Sequence, residues 1–344
     1  MSVRVGINGF GRIGRNFLRA LLDLDAAGVG ADVDLVAVND MVAQEVSTYL
    51  LQYDSTHGQL RHRVEPTANG LRAGGREVEI LREADPKALG WGDLGVDVVI
   101  ESTGRFTGRA AAAAHLEAGA SRVIISAPSK DADATFVVGV NDQDFDPDRH
   151  FVVSNASCTT NCLVPMVKVL DDSFGLRQGL MTTVHAYTND QELLDLGRDN
   201  LRRARAAAVN IVPTSTGAAR ATNLVLEAMK GRLDGQSLRV PVVDGSVTDL
   251  TAVLGSAVTA GDVNDAFRSA ASEGPLARVL DYSEDQIVSS DIVGRPASCT
   301  FDSTLTMAIA IDDSSTLVKA FGWYDNEWGY ANRLVDLCRV VGAA

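Results

Sequence analysis

Short apolar runs alternate with stretches of helical period through the first half of the chain. The runs predict buried strands at residues 3–7, 34–38, 97–100, 122–126 and 151–154. The stretches between them predict helices at residues 12–24 and 109–118. Such alternation is typical of βαβ units, in which helices cover both faces of a parallel sheet. Gly74 and Gly75 interrupt the alternating residues 71–81, which predicts a hairpin there.

The pattern changes after about residue 158. A helix is predicted at residues 162–172, and longer strands are predicted at 180–185, 238–243, 247–254, 304–311 and 316–323. Residues 186–209 are polar and lack a clear period, which predicts a long ordered loop, and such loops in compact domains are usually functional. Residues 326–341 have apolar positions at helical spacing. The second half therefore predicts an α+β domain with a mainly antiparallel sheet.

Length, charge and cysteine content narrow the class of protein. The chain has 344 residues, 46% of them hydrophobic, so it can bury the cores of two domains. Its formal net charge of −14 argues against a nucleic acid or an anionic membrane as partner. No segment reaches the roughly 18 apolar residues of a membrane span, and the start lacks a signal pattern. The four scattered cysteines fit neither a disulfide scaffold nor a metal site, which favours free thiols in a reducing cytoplasm.

A glycine motif lies where the first predicted strand meets the first predicted helix. Gly9, Gly11 and Gly14 form G-x-G-x-x-G, which in this context predicts a Rossmann dinucleotide-binding domain. The glycines permit, in order, a tight turn, close approach of a pyrophosphate, and close packing of helix on strand. Asp40 follows the second strand, where a carboxylate binds the adenosine ribose and repels a 2′-phosphate. We therefore expect NAD, with NADP less favoured; a plain turn and a helix cap are the alternative interpretations.

Cys158 is the candidate nucleophile. It lies between a predicted strand and a predicted helix, and a helix N-terminus lowers the pKa of a thiol by stabilising the thiolate. His185 ends a later predicted strand, and a cysteine with an adjacent histidine is the usual activated thiol. The remaining cysteines are interpreted as small buried apolar residues: Cys162, Cys299 and Cys338. Three histidines are interpreted as surface residues: His62, His115 and His150.

Seven motifs resemble those of the phosphorylating glyceraldehyde-3-phosphate dehydrogenase family. They are INGFGRIGR at residues 7–15, ISAP at 125–128, SNASCTTN at 154–161, TTVHAYTNDQ at 182–191, LRRARAAA at 201–208, PTSTGAA at 213–219 and WYDNEWGY at 323–330. The resemblance runs nearly the whole length. It implies that Cys158 attacks the aldehyde of glyceraldehyde 3-phosphate to give a thiohemiacetal while His185 accepts the proton. Hydride transfer to NAD then leaves a thioester, which inorganic phosphate resolves to 1,3-bisphosphoglycerate.

The resemblance also implies the binding residues. Those for the cofactor are Gly9, Gly11, Arg12, Ile13, Gly14, Asp40, Ser126 and Asn326, the last as carboxamide anchor. Those for the substrate phosphate are Thr188, Asp190 and Arg239, those for the attacking phosphate are Ser157, Thr159, Thr216 and Gly217, and Arg203 bridges both groups. Each hydroxyl alone could instead be a cap or turn residue, and Asn326 could cap the last helix. No metal is implied.

By the same resemblance the chain forms a homotetramer. Residues 1–157 bind NAD, residues 158–324 carry catalysis and subunit contacts, and residues 325–344 form a helix docking on the NAD-binding domain. One departure from the family pattern is Gly197, which replaces a frequent proline in a loop that influences the choice between NAD and NADP. The open alternatives are an erythrose-4-phosphate or other phosphorylated-aldehyde dehydrogenase, an isozyme with relaxed cofactor choice or altered inhibitor sensitivity, and a non-catalytic binding module.

Overall fold

The computed structural model describes residues 2–30 and 32–343. The described residues divide into two compact units. One unit comprises the chain up to Ala156 together with the C-terminal segment from Tyr330, and the other is Ser157–Gly329. No helix in the described part of the chain is both long enough and apolar enough to span a membrane.

The first unit is built on a sheet that is parallel except at one edge. Its strands are β1 (Val3–Asn8), β2 (Val33–Asn39), β5 (Val64–Pro66), β6 (Gly70–Ala73), β7 (Arg76–Leu81), β8 (Val98–Glu101), β9 (Arg122–Ile125), β10 (Ala134–Thr135) and β11 (Val152–Ser154), and a separate ribbon holds β3 (Tyr53–Asp54) and β4 (Gly58–Gln59). The sheet order is β10-β11-β9-β8-β1-β2-β7-β6-β5. The predicted hairpin at Gly74 and Gly75 is confirmed, because β6 and β7 pair antiparallel around these residues. Burial on both faces explains the continuous apolar runs of the central strands.

The helices that the residues up to Ala156 contribute to the first unit are short except for the one that follows β1. They are α1 (Arg12–Ala26), α2 (Gln44–Gln52), α3 (Arg109–Ala112) and α4 (Ala114–Glu117). Helix α1 packs an apolar stripe that includes Phe17 and Leu21, both without exposed surface. The single helix predicted at residues 109–118 is wrong in detail, since α3 and α4 replace it. Trp91 lies beneath β1, so close that a Cβ on Gly6 would stand 2.7 Å from its ring.

The second unit packs helices against a mainly antiparallel sheet, which confirms the predicted fold class. Its strands are β12 (Leu176–Ala186), β13 (Val212–Ser215), β14 (Leu233–Val240), β15 (Ser246–Leu254), β16 (Leu280–Ser283), β17 (Cys299–Asp302), β18 (Met307–Asp312) and β19 (Ser315–Tyr324). The sheet order is β13-β14-β12-β15-β19-β17-β16, with β18 on β19. The helices are α5 (Cys158–Phe174), α6 (Ala218–Val225) and α7 (Ala260–Ser272), and α8 (Trp328–Gly342) follows. Phe267 of α7 stacks on Phe301 of β17 with ring centroids 3.7 Å apart.

Several predicted bounds shift. The strand predicted at residues 238–243 is instead Leu233–Val240. The first two residues of the strand predicted at 304–311 belong to a 3₁₀ turn, Ser303–Leu305, that Asp302 caps. Single turns of 3₁₀ helix also occur at Pro86–Ala88, Asp142–Asp144, Ala207–Val209, Glu227–Met229, Pro275–Arg278 and Ser289–Asp291. The loop predicted at residues 186–209 begins after β12 and is tied by a bridge between Glu192 and Ala206.

Candidate active site

The glycine motif has the three geometries that its sequence predicts. Gly9 has φ +99°, and a Cβ there would stand 2.7 Å from the backbone of Ser102. A Cβ on Gly14 would stand 2.6 Å from the carbonyl oxygen of Gly9, so helix and strand touch there. Gly11, in contrast, has nothing within 4 Å of its Cβ position. The backbone before α1 is therefore open to a ligand, and no side chain caps this helix end among the described residues.

A cavity of about 280 Å³ adjoins this loop within the first unit. Gly9, Gly11, Asn39 and Asp40 line it. One carboxylate oxygen of Asp40 accepts a hydrogen bond from the Phe10 amide at 2.8 Å. The carboxylate is thus fixed beside the glycine loop, where a 2′-phosphate would meet a negative charge.

The other cofactor candidates of the first unit differ in what their side chains do. The Arg12 guanidinium lies 2.5 Å from Asp54, and the Arg12 backbone belongs to the first turn of α1. Ile13 follows it in the first turn of α1. The Ser126 hydroxyl lies 3.1 Å from that of Ser102, another residue of the cavity wall.

Cys158 and His185 meet in the second unit. Cys158 is the first residue of α5, and the Ser157 side chain caps this helix by accepting a hydrogen bond from the Thr160 amide. His185 lies at the end of β12, on a strand that pairs on both sides. The Cys158 Sγ lies 3.4 Å from the His185 Nε2. The two side chains predicted as nucleophile and base are therefore in hydrogen-bond contact.

Nδ1, the other ring nitrogen of His185, contacts one hydrogen-bond acceptor and one donor. Nδ1 lies 2.7 Å from the carbonyl oxygen of Ala186 and 2.8 Å from Nη1 of Arg239. The guanidinium can only donate, and it also donates to the Ala186 oxygen at 3.0 Å. The tautomer with its proton on Nδ1 donates to Ala186 and turns the lone pair of Nε2 toward the thiol, which is the form that a base requires, whereas the tautomer with its proton on Nε2 accepts from Arg239 at Nδ1.

Burial keeps the pair neutral. It raises the pKa of the Cys158 thiol to about 11, against the opposing effects of Arg239 and the Thr159 amide. Burial and then Arg239 lower the pKa of His185 to about 3. The lowered thiol pKa expected from the helix N-terminus is therefore wrong for this structure, because desolvation of the half-buried thiol outweighs the helix end. Nε2 of His185 contacts the thiol and is therefore placed to accept its proton.

Tyr324 is a site residue that the sequence interpretation missed. Its hydroxyl lies 2.8 Å from that of Thr159 and 2.7 Å from that of Thr183, and all three are buried. Its ring meets His185 edge-on at 5.9 Å between centroids. The hydroxyl of Thr159, proposed for phosphate, is thus engaged within the protein. The partners are far apart along the chain, so no local pattern identified them.

The residues implied for substrate phosphate form part of a polar network. The Thr188 hydroxyl donates to Asp190, whose carboxylate also accepts a hydrogen bond from Arg203 at 2.8 Å. Arg203 further donates to Thr214 at 2.9 Å. Arg239 stands apart from these bonds, beside His185.

The residues implied for attacking phosphate stand at two helix starts. Ser157 opens α5, with its hydroxyl 2.7 Å from that of Thr160. The hydroxyl of Thr216 accepts a hydrogen bond from the Ala218 amide at the start of α6. Gly217 precedes α6 with nothing within 4 Å of its Cβ position. The alternative of a cap thus describes the hydroxyl of Ser157, and that of a turn residue describes the hydroxyl of Thr216.

Asn326 is held by a serine that the sequence interpretation did not select. The Ser246 hydroxyl donates to Asn326 Oδ1 at 2.6 Å and accepts a hydrogen bond from the Ala186 amide at 3.1 Å. Ser246 has no exposed surface. It therefore ties the residue after His185 to Asn326 and leaves the Asn326 amide nitrogen for another partner.

Both units match one protein family. Residues 3–109 match the glyceraldehyde 3-phosphate dehydrogenase NAD binding domain, and residues 157–326 match the C-terminal domain of the same enzyme. The chain belongs to the glyceraldehyde-3-phosphate dehydrogenase family. It is 56% identical to a glyceraldehyde-3-phosphate dehydrogenase of Streptomyces coelicolor over 99% of both chains. It is 55% identical to that of Mycobacterium avium over 99% of both chains, and 52% identical to glyceraldehyde-3-phosphate dehydrogenase 1 of Bacillus subtilis over 99% and 98%.

These matches confirm the predicted family, the Rossmann domain and the NAD cofactor. Gly197, the departure from the family pattern, lies within the matched residues 157–326. It is exposed and has nothing within 4 Å of its Cβ position. One surface interpretation is wrong: His115 is completely buried. His62 and His150 are half-buried.

Proposed function

We propose that this family member oxidises D-glyceraldehyde 3-phosphate with NAD and inorganic phosphate, through a thioester on Cys158. NAD-linked glyceraldehyde-3-phosphate dehydrogenase activity follows from identities above 50% along the whole chain. The observation that carries the mechanism is the 3.4 Å contact between the Cys158 Sγ and the His185 Nε2.

His185 serves first as base. As the Cys158 sulfur bonds to the aldehyde carbon, the thiol proton passes to Nε2, and the imidazolium then donates to the new oxyanion. Ala186 steadies this cation through its bond to Nδ1. NAD, when bound, supplies the hydride acceptor. It would be held by the glycine loop, the α1 amides, Asp40, Ser126 and Asn326.

Phosphate then resolves the thioester. A phosphate oxygen bonds to the acyl carbon, the carbon–sulfur bond breaks, and His185 returns a proton to the departing sulfur. In a chain of net charge −14, local groups must hold the anions. We assign Thr188, Asp190 and Arg239 to the substrate phosphate and Ser157, Thr159, Thr216 and Gly217 to the attacking one. Arg203, which donates hydrogen bonds to Asp190 and to Thr214, is assigned to both phosphates.

The division of labour follows the domains. Residues 1–157 hold the cofactor, residues 158–324 carry the chemistry and the subunit contacts, and the helix in residues 325–344 docks on the cofactor domain. We also propose that the enzyme works in the cytoplasm.

A homotetramer would cover apolar surface on the second unit. Leu193, Leu194 and Leu201 in the loop after β12 are 81%, 75% and 80% exposed. Ile309 on β18 and Leu180 on β12 add exposed apolar area on the open sheet face. Patches of this kind mark contacts between subunits.

Competing activities remain distinguishable. An erythrose-4-phosphate or other phosphorylated-aldehyde dehydrogenase would use the same thioester, and Gly197 leaves room for relaxed cofactor choice or altered inhibitor sensitivity. The groups assigned to a second phosphate favour phosphorolysis over hydrolysis.

The test is NADH and NADPH formation from glyceraldehyde 3-phosphate with and without inorganic phosphate. We expect phosphate-dependent reduction of NAD, lost in Cys158→Ser. The matched control is Cys162→Ala, which removes a buried thiol one turn along α5 and should retain turnover. Turnover that ignores phosphate would refute the second anion site, and faster turnover of erythrose 4-phosphate would refute the substrate.

A further inference from the structure

A line of buried polar side chains runs through the first unit to the wall of the dinucleotide cavity. Trp91 and His115 have no exposed surface, and Glu101, Asn8 and Asn39 are at most 4% exposed. The proposed mechanism uses none of them. Burying a carboxylate and a histidine is costly unless their hydrogen bonds are complete, so the arrangement needs a reason.

The Trp91 donor determines which ring nitrogen of His115 carries the proton. The Trp91 indole N–H can only donate, and it donates to the His115 Nδ1 at 3.0 Å. His115 therefore carries its single proton on Nε2, which lies 2.9 Å from a carboxylate oxygen of Glu101. A second proton on His115 would face the indole N–H. Trp91 thus fixes the tautomer of His115 that aims its Nε2 proton at Glu101.

Glu101 is saturated with donors. One oxygen receives His115 and the Asn8 amide group at 2.7 Å. The other receives the Thr103 amide at 2.9 Å and the Thr103 hydroxyl at 2.5 Å. All four contacts come from donors, so the Glu101 carboxyl group serves only as an acceptor and both of its oxygens are fully engaged.

The line ends in the cavity wall. Asn8 Oδ1 accepts a hydrogen bond from the side-chain amide of Asn39 at 2.7 Å. The backbone carbonyl oxygen of Asn39 accepts one from the Gly9 backbone amide at 2.8 Å. Asn8, Gly9, Asn39 and Thr103 line the cavity, whereas Glu101 does not. The parallel register explains the convergence, since Asn8 at the end of β1 pairs with the ends of both neighbouring strands.

We propose that Glu101 and His115 are positioning residues for the cofactor, holding Asn8 and Thr103, and through Asn39 the Gly9 turn, in the form that binds NAD. The proposal rests on the proposed function only in taking this cavity as the dinucleotide site. It assigns these residues no contact with NAD or substrate.

The test compares calorimetric NAD affinity with the separate KM and kcat values. His115→Leu removes one donor from Glu101 and strands the Trp91 N–H, and Glu101→Gln turns an amide donor toward existing donors. Each should weaken NAD binding and raise the KM for NAD about tenfold, the effect of about one lost hydrogen bond, with kcat at saturating NAD and the KM for aldehyde unchanged. His115→Gln, which retains a donor and an acceptor, should restore binding to within about threefold.

The matched control is His150→Leu. His150 belongs to the same unit but bonds to the Asp146 amide, off this line, so NAD affinity should stay at the wild-type value. If His115→Leu and Glu101→Gln lower only thermal stability and leave NAD affinity unchanged, or if His115→Gln binds no better than His115→Leu, the proposal is overturned. A wild-type protein that fails to bind NAD would instead refute the proposed function.

Discussion

Ser246→Ala should loosen the site at two buried points at once. The substitution leaves the Ala186 amide and Asn326 Oδ1 without the hydroxyl that now serves both. A buried polar group that loses its partner costs about 1–3 kcal/mol, so the pair should cost about 2–3 kcal/mol of the free energy of unfolding. For a unit of this size that lowers Tm by about 5–10 °C.

The same change should affect turnover. Ala186 follows the base, and Asn326 is the proposed carboxamide anchor, so an unfixed Asn326 should raise the KM for NAD about tenfold, equivalent to about 1.4 kcal/mol. Thermal unfolding and initial rates at varied NAD concentration measure the two effects.

The chain offers a matched control on the same strand. Thr248, two residues along β15, is equally buried, and its hydroxyl has no hydrogen-bond partner among the described residues. Thr248→Val should therefore change neither Tm nor KM appreciably, since it removes an unpaired buried hydroxyl at constant volume. If Ser246→Ala proves as mild as Thr248→Val, the bridging role of the serine is refuted.

Three further outcomes are expected. Gly14→Ala forces a Cβ to 2.6 Å from the Gly9 carbonyl and should abolish NAD binding by calorimetry. Burial alone would raise the pKa of Asp54, but bonds from the His57 amide and Arg12 lower it to about 2. The stability that ionised Asp54 contributes is therefore present above about pH 4 and lost as pH falls through 2. Asp54→Asn should lower Tm at pH 7 by more than at pH 3. Burial raises the pKa of Asp244 to about 9, so the free energy of unfolding falls as pH rises toward 9. Asp244→Asn should therefore raise Tm more at pH 8 than at pH 4, and the reverse order would contradict this.

The sequence predicts the cofactor half well because its signals are local. Continuous apolar runs identify strands buried on both faces, and the glycine motif acts through its own backbone, as Gly9 and Gly14 show. The start of α5 at Cys158 is likewise visible in the residues on either side of it.

What the sequence does not predict depends on distant partners. His115 lies in an alanine-rich stretch that looks exposed, and its burial follows from Trp91, 24 residues away. Ser246 and Asn326 are separated by 80 residues. The thiol pKa of Cys158 depends on how much protein surrounds it, which a helix start does not reveal.

The cofactor-binding unit is made from both ends of the chain, and this affects the order in which it can be built. Arg339 of α8 donates hydrogen bonds of 2.7 and 3.0 Å to the Asp32 carboxylate. A Cβ on Gly342 would stand 2.2 Å from the Val3 side chain, so the two residues are in close contact. The second unit is contiguous along the chain, whereas the NAD-binding unit is completed only after the residues of α8 have been synthesised. A bulky C-terminal tag or a shortened C-terminus should therefore impair the half of the enzyme encoded first.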